Sequence, residues 1–444
     1  MKRYKCRLCQ FVFDEDAAMT GWDGTPRCAL CNATENLFVE VPAEEEAPVV
    51  NIRYMDEINM MAETGQSVID AMGTDKSMPG WDDILFLGAQ LDPMPLERDE
   101  KVDTVTIIGK NAKKPMVLEN PVFISHMSFG AISREAKTAF AKGSAMAKTA
   151  TSSGEGGILK EEMEASYKYI FQYAPNLYSV TQENLKNADA VEIKIGQSTK
   201  PGLGGHLPAE KVSAEIAEIR EKPEKTDIYS PSRFAEINTK EDLKKAIDEL
   251  REKSEGRPIG VKIAAGRIER DLAFCVYGEP DFITIDCRGG SSGASPKLVR
   301  DSTSLPAIYA LHRARKYLDS INSEITLIIT GGLRVSSDFA KAIAMGADAV
   351  AVATPVMIAA SCRQDKMCAT GRCPVGIATQ DPELRGKFNI DAAAEKVANF
   401  LNVSLSEIVQ FARLTGRRNI HDMCVEDLCT TNREISGFTD IVHA

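Results

Sequence analysis

From about residue 118 onward, eight short apolar segments alternate with stretches of helical periodicity. They are PVFIS (121–125), TATSSG (149–154), LYSVT (177–181), AVEIKIG (190–196), PIGVKI (258–263), DFITIDC (281–287), ITLIITGG (325–332) and ADAVAVATP (347–355). Near-continuous Val/Ile segments separated by helices belong to parallel sheets covered on both faces. Eight such units predict an α/β chain with a closed (β/α)8, or TIM, barrel over residues 118–380. Barrels of this kind place their chemistry at the C-terminal ends of the strands. There the sequence turns polar and glycine-rich: HMSFGAIS, SGEGG, GQSTKPGLGGHLP, RGGSSGASP, TGGLR and ATPVM follow successive segments.

Two of these loops point to a ligand. Backbone N–H groups at Gly331 and Gly332, after the seventh segment, and at Ala353 and Thr354, after the eighth, are placed to cradle a phosphate. The net charge is −11 without a Lys/Arg tract. Neither nucleic acid nor an anionic membrane is therefore expected as a partner, since phosphate backbones need clustered cations. MKRYKCRLCQ at the N-terminus lacks the apolar stretch of a signal peptide. The apolar run 347–360 is too short to span a membrane and contains Pro355. A cytoplasmic protein is expected, in which thiols stay reduced and clustered cysteines hold metal.

The cysteines are clustered. Cys6, Cys9, Cys28 and Cys31 form two C-x2-C pairs, a spacing that gives tetrahedral sulfur coordination for Zn or a single Fe. A structural zinc ribbon and a redox-active iron site both satisfy it. Cys362, Cys368 and Cys373 form a second group, just after the eighth segment. With no fourth thiolate in the motif, a [3Fe–4S] cluster, a [4Fe–4S] cube with one other ligand, or zinc with a water fit the donors. Cys275 and Cys287 lie in apolar sequence and are expected in the core.

Two resemblances follow from these motifs. Residues 1–42, with YKCRLC, FVFDED, GWDGTP and NLFVEV, resemble a small rubredoxin-like domain. From about residue 50, MSFGAIS, SGEGG, NADAVEIKIGQSTKPGLGGHLP, GGSSGASP, TGGLR and CRQDKMCATGRCPVGIATQDPELR resemble the FMN-binding, synthase domain of glutamate synthase, in its stand-alone archaeal-type form. The resemblance implies FMN at the barrel mouth and a [3Fe–4S] cluster on Cys362, Cys368 and Cys373. It implies reductive amination of 2-oxoglutarate through 2-iminoglutarate. Met127, Ser128, Ser153, Lys194, Gln197, Lys262, Gly331, Gly332, Ala353 and Thr354 become candidate FMN contacts. Lys262 is also a candidate for clamping substrate or steadying charge on the flavin, and Arg288 for a substrate carboxylate. Glu155 is a candidate proton donor or ammonia ligand, or else a loop carboxylate. Lys194 alternatively does no more than line the barrel mouth.

Two departures from the large glutamate synthases matter. No glutaminase domain fits ahead of residue 50, so ammonia is expected from a partner subunit or from solution. After Lys262 the chain reads AAGRIERD, which leaves a different amine open, as in relatives that make N-methylglutamate. A non-catalytic electron-transfer or redox-sensing subunit is a further alternative. No G-x-G-x-x-G follows a strand, so electrons are expected from a ferredoxin-like or reductase partner, within an oligomer. Residues 43–117 read as an acidic linker and a pre-barrel segment, and 381–444 as a helical tail.

Overall fold

The computed structural model describes residues 2–9, 11–20, 24–41, 53–74 and 76–444. It divides into two compact units, Met1–Val68 and Ile69–Ala444. Most of the acidic linker expected after residue 42 lies outside the described residues.

In the first unit, Arg3–Cys6 is the central strand of an antiparallel sheet, between Val12–Asp14 and Phe38–Val41. Tyr4, Phe13 and Phe38 pack their rings together beside the cysteines, with Phe13 and Phe38 edge to face at 4.9 Å. So small a unit has little apolar core to bury, and sulfur–metal bonds are the usual substitute.

The second unit is built on eight parallel strands: β1 (Val122–Ile124), β2 (Ala150–Ser152), β3 (Lys168–Tyr173), β4 (Ala190–Lys194), β5 (Ile259–Ala264), β6 (Phe282–Asp286), β7 (Thr326–Thr330) and β8 (Ala349–Val352). Their order around the sheet is the order of the chain, and β8 pairs with β1. Among the described residues the ladder is open only between β1 and β2. Side-chain hydroxyls bridge that seam: Thr149 donates to the Val122 carbonyl at 2.9 Å, and Ser152 to the Ile124 carbonyl at 3.0 Å.

Seven of the eight predicted segments coincide with strands; the third does not. β3 is KYIFQY, not LYSVT. Leu177 and Ser179 have φ of 56° and 59°, a left-handed backbone that no strand can contain. The strand lies immediately behind the short helix Lys160–Ala165, whose pattern runs into it without a break.

The barrel is a packed core. Phe123, Ile170, Phe282 and Ile328 fill its lower part with Ile108, Met116 and Leu118, which come from a hairpin (Thr106–Ile108 with Met116–Leu118) closing the bottom. Gly260 is glycine because of close packing: a Cβ there would lie 2.1 Å from the Phe282 ring. Cys275 and Cys287 are buried, as expected.

Helices cover the outside. α1 (Arg134–Met146) starts at Ser133, which accepts a hydrogen bond from the Ala136 N–H. α2 (Lys240–Lys253) begins with a reciprocal cap between Thr239 and Asp242 and buries Leu243, Ile247 and Leu250 on one face. The tail is part of this layer. α3 (Ile390–Leu414) lies on α1, where Gly143 permits the approach: a Cβ there would meet Val397 Cγ1 at 2.7 Å. Among the described residues no helix is long and apolar enough to cross a membrane.

Candidate active site

A cavity opens at the C-terminal ends of the strands, lined by residues from the strand ends and their following loops. Of the candidates read from sequence, Met127, Ser128, Glu155, Lys194, Gln197, Lys262, Gly331, Gly332, Ala353, Thr354 and Cys368 all line it. Two do not. Ser153 is buried behind it, with its hydroxyl accepting from the Gln172 N–H at 2.9 Å, so it props β3. Arg288 is turned away: its guanidinium donates to the carbonyls of Thr303 and Asp301 at 2.8 and 2.7 Å. Those bonds hold the loop before residue 304 and leave the expected carboxylate ligand committed elsewhere.

At one end of the cavity, β7 gives way to Gly331 and Gly332, with φ of 96° and 95°. A Cβ at Gly331 would fall 2.4 Å from the Cys287 carbonyl oxygen, and one at Gly332 2.8 Å from Gly289 Cα. Only bare backbone fits, which exposes N–H groups to an anion. Arg334 lines the cavity beside them.

The floor is polar. His126 Nε2 lies 2.8 Å from Glu192 Oε1. The Lys262 ammonium is 3.9 Å from both Glu192 and Asp286. Thr284 donates to Glu192 at 2.6 Å. Burial pushes His126 down to about 4, so its imidazole is neutral. Burial works against the charge on Glu192, but His126, Lys262 and Thr284 outweigh it and bring the carboxyl to about 2. Burial raises Asp286 to about 6. His126 Nδ1 and Gln172 Nε2 are buried at this floor without a hydrogen-bond partner. Such groups are costly to leave unpaired, and a ligand with a polar heterocyclic edge would satisfy them.

The wall carries Glu155, ion-paired with Lys194. Burial opposes charge on Glu155, but Lys194, Arg220 and Lys200 overcome it and hold the carboxyl below its ordinary range. Lys200 is nearly buried, is pushed down to about 8 by burial, and has no carboxylate within ion-pair distance among the described residues. Arg220 donates to the Phe129 carbonyl at 2.6 Å and lies over the Tyr178 ring. His126, Gln172, Lys200, Lys211, Arg220, Asp286 and Arg334 were not singled out by sequence, although His126 opens HMSFGAIS, Arg334 closes TGGLR and Lys200 lies in KPGLGG. Lys211 follows shortly after that last loop, and Gln172, Arg220 and Asp286 lie in none of the loops.

The three-cysteine segment borders the same cavity through Cys368 and Ala369. Its thiols are free. Burial first, then the neighbouring Cys362 and Cys373, raise Cys368 to about 11, so the three sulfurs feel one another. Among the described residues only Cys6, Cys9, Cys28 and Cys31 bring all their ligand atoms within 4.8 Å of one another. Cys362, Cys368 and Cys373 do not meet that spacing.

In the first unit, Cys6 and Cys31 sulfurs are 3.6 Å apart, as are those of Cys9 and Cys28. Burial opposes a charge on Cys6, but the N–H groups of Cys9 and Leu8 outweigh it and lower the thiol to about 7. This is the turn geometry the C-x2-C spacing predicts; it favours the thiolate at Cys6, while burial raises Cys9. The four cysteines form a metal-binding site.

A parallel eight-stranded barrel with a cavity at its strand ends defines a (β/α)8-barrel protein. Solved structures share that shape. A mandelate oxidase variant with (S)-mandelic acid aligns with a TM-score of 0.50 at 17% identity, over 79% of this chain and 87% of that one. A variant of an active chimera of (S)-mandelate dehydrogenase aligns at 0.50 and 12%, over 79% and 88%. The chain belongs to the glutamate synthase family: the family model described as the conserved region in glutamate synthase matches residues 55–418. A glutamate synthase large subunit-like protein of Rhizobium meliloti is 35% identical, over 87% of this chain and 92% of its own length. The archaeal glutamate synthase (NADPH) of Methanocaldococcus jannaschii is 34% identical, over 85% and 80%. The archaeal-type glutamate synthase (NADPH) of Thermotoga maritima is 34% identical, over 91% and 88%.

Proposed function

We propose that this protein is an FMN- and iron–sulfur-dependent oxidoreductase that aminates 2-oxoglutarate reductively, using ammonia from a partner subunit or from solution. The observation that carries this reading is the charge of the cavity. Six cationic side chains line it (Lys194, Lys200, Lys211, Arg220, Lys262 and Arg334) against two carboxylates, Glu155 and Asp286. Anionic guests must meet that surplus, and a phosphate and a dicarboxylate do so together.

The residues fit FMN. Gly331, Gly332, Ala353, Thr354 and Arg334 would hold its phosphate. Gln172, His126, Lys262, Lys194, Gln197, Met127 and Ser128 would surround its ring and ribityl chain. Cys362, Cys368 and Cys373 fit an iron–sulfur cluster. Once bound, FMN supplies hydride and the cluster supplies single electrons.

The substrate chemistry falls to the wall. Lys200 and Arg220 are placed to bind the two carboxylates, which fixes the 2-oxo carbon in the cavity. Glu155 stays charged at neutral pH, so it would hold ammonium beside the 2-oxo carbon, where the ammonium gives up its proton to water. The freed ammonia attacks the 2-oxo carbon, water leaves, and 2-iminoglutarate forms. Hydride at the imine carbon and a proton at its nitrogen complete glutamate.

The test is glutamate formation by the anaerobically purified full chain, from 2-oxoglutarate and ammonium with a reduced low-potential dye as donor. Glutamate that accumulates with turnover supports the proposal. A flavin-loaded preparation that makes none, with ammonium or methylamine, overturns it.

A further inference from the structure

Lys211 closes the short turn Ala209–Lys211 in the segment between β4 and β5. Its side chain is buried, with the residue 4% exposed, and it lines the cavity. Its ammonium donates to the Ala131 carbonyl at 2.8 Å and to the Cys368 carbonyl at 3.3 Å. Ala131 belongs to the loop after β1 that also brings Met127 and Ser128 to the cavity. Gly371 lies against the aliphatic stem: a Cβ there would sit 3.3 Å from Lys211 Cγ. The cysteine segment is thus laid along one lysine, and that lysine reaches into the cavity. Among the described residues no carboxylate forms an ion pair with it. Burial works against its charge, Cys368 and Cys373 favour it, and Arg220 opposes it.

A buried ammonium with no carboxylate partner has its charge to spend on whatever sits beside it. Reduction of a cluster adds one negative charge, and a neighbouring cation in a low-dielectric setting stabilises that state. We infer that Lys211 is a positioning residue that raises the reduction potential of the cluster on Cys362, Cys368 and Cys373 and ties that cluster to the cavity. This rests on the cluster assignment proposed above. The electron comes from the reductase or ferredoxin-like partner; no bond to Lys211 is made or broken.

The test is a redox titration of the anaerobically purified full chain, following the cluster by EPR in the wild type, Lys211→Met and Lys211→Arg. Lys211→Met is expected to lower the reduced-to-oxidised ratio at a fixed potential at least tenfold, which is about 59 mV for one electron. Lys211→Arg, which keeps the charge, should restore the wild-type ratio to within about threefold. An unchanged titration in Lys211→Met with the cluster retained overturns the inference. Equal shifts in both variants also overturn it, since packing rather than charge would then be at work. If Lys211→Met loses its cluster, Lys211→Gln is titrated instead and judged by the same ratio. If the wild type shows no [3Fe–4S] signal at all, the cluster assignment fails, and this inference falls with it by a distinguishable route.

Discussion

Lys137 and Glu162 form an ion pair of 2.8 Å in which the side chains are 2% and 1% exposed. The Lys137 ammonium also donates to the carbonyls of Met127, Ser152 and Ser153, where β1 and β2 end. Tyr169 on β3 donates to Glu162. One buried cation therefore fixes the two loops that carry the first cavity residues. Removing one member of a buried pair leaves the other uncompensated, at about 3–5 kcal/mol. Lys137→Met should lower the unfolding free energy by that amount, and Lys137→Met with Glu162→Leu should recover most of it. Urea unfolding of the three proteins measures this; a loss below about 1 kcal/mol in the single variant would contradict the account.

Gly260 gives the barrel interior its fit. A methyl group there collides with the Phe282 ring, and overpacking of this kind costs about 1–3 kcal/mol. Gly260→Ala should lower the melting temperature by several degrees. Phe282→Leu in the same chain should return part of the loss. Thermal unfolding that leaves Gly260→Ala unchanged would mean that the ring moves freely.

Lys200 and Arg220 are proposed to bind substrate carboxylates. A hydrogen bond to a charged group contributes about 1.5–3 kcal/mol. Lys200→Met should therefore raise KM for 2-oxoglutarate by roughly 10- to 100-fold. FMN content should stay at the wild-type level, because the proposed flavin contacts lie elsewhere. Steady-state kinetics with flavin release on the same preparations separates the two. A KM that does not move would place the substrate against another wall.

Asp286 sets a pH dependence of stability. Burial raises its pKa from 3.8 to about 6. The folded protein then holds this proton more tightly than the unfolded chain, so the contribution is fully present below about pH 4 and is lost as pH rises toward 6. At roughly 1.4 kcal/mol per unit the loss is about 3 kcal/mol. Neutral His126, lowered to about 4, acts in the opposite direction as pH falls, so the comparison must isolate one group. Asp286→Asn relative to wild type should gain stability between pH 4 and 6 and then stay level. Denaturant unfolding at several pH values reads this difference, and a flat difference would contradict it.

The barrel was legible because its strands are Val/Ile-rich and regularly spaced, as in AVEIKIG and ITLIITGG. β3 was not, because helix Lys160–Ala165 lies just ahead of KYIFQY and the nearby LYSVT is also rich in strand-forming residues. Glycine loops announced themselves at Gly331 and Gly332, where local backbone decides the outcome. Arg288 has the place of a site residue after β6, but carbonyls of Asp301 and Thr303, thirteen and fifteen residues on, take up two of its donors. Gln172 had no local signal, and Lys211 only its place after KPGLGG, since what matters is which other segments the fold brings to them.

The central claim is that the cavity holds FMN in this family's manner. It is tested most directly by purifying the full chain anaerobically, denaturing it and identifying the released flavin against protein concentration. The account predicts one FMN for each chain, and Gly332→Val, which fills the backbone cradle, should lose it. A protein that releases no flavin, and takes none up when FMN is supplied, would contradict the account.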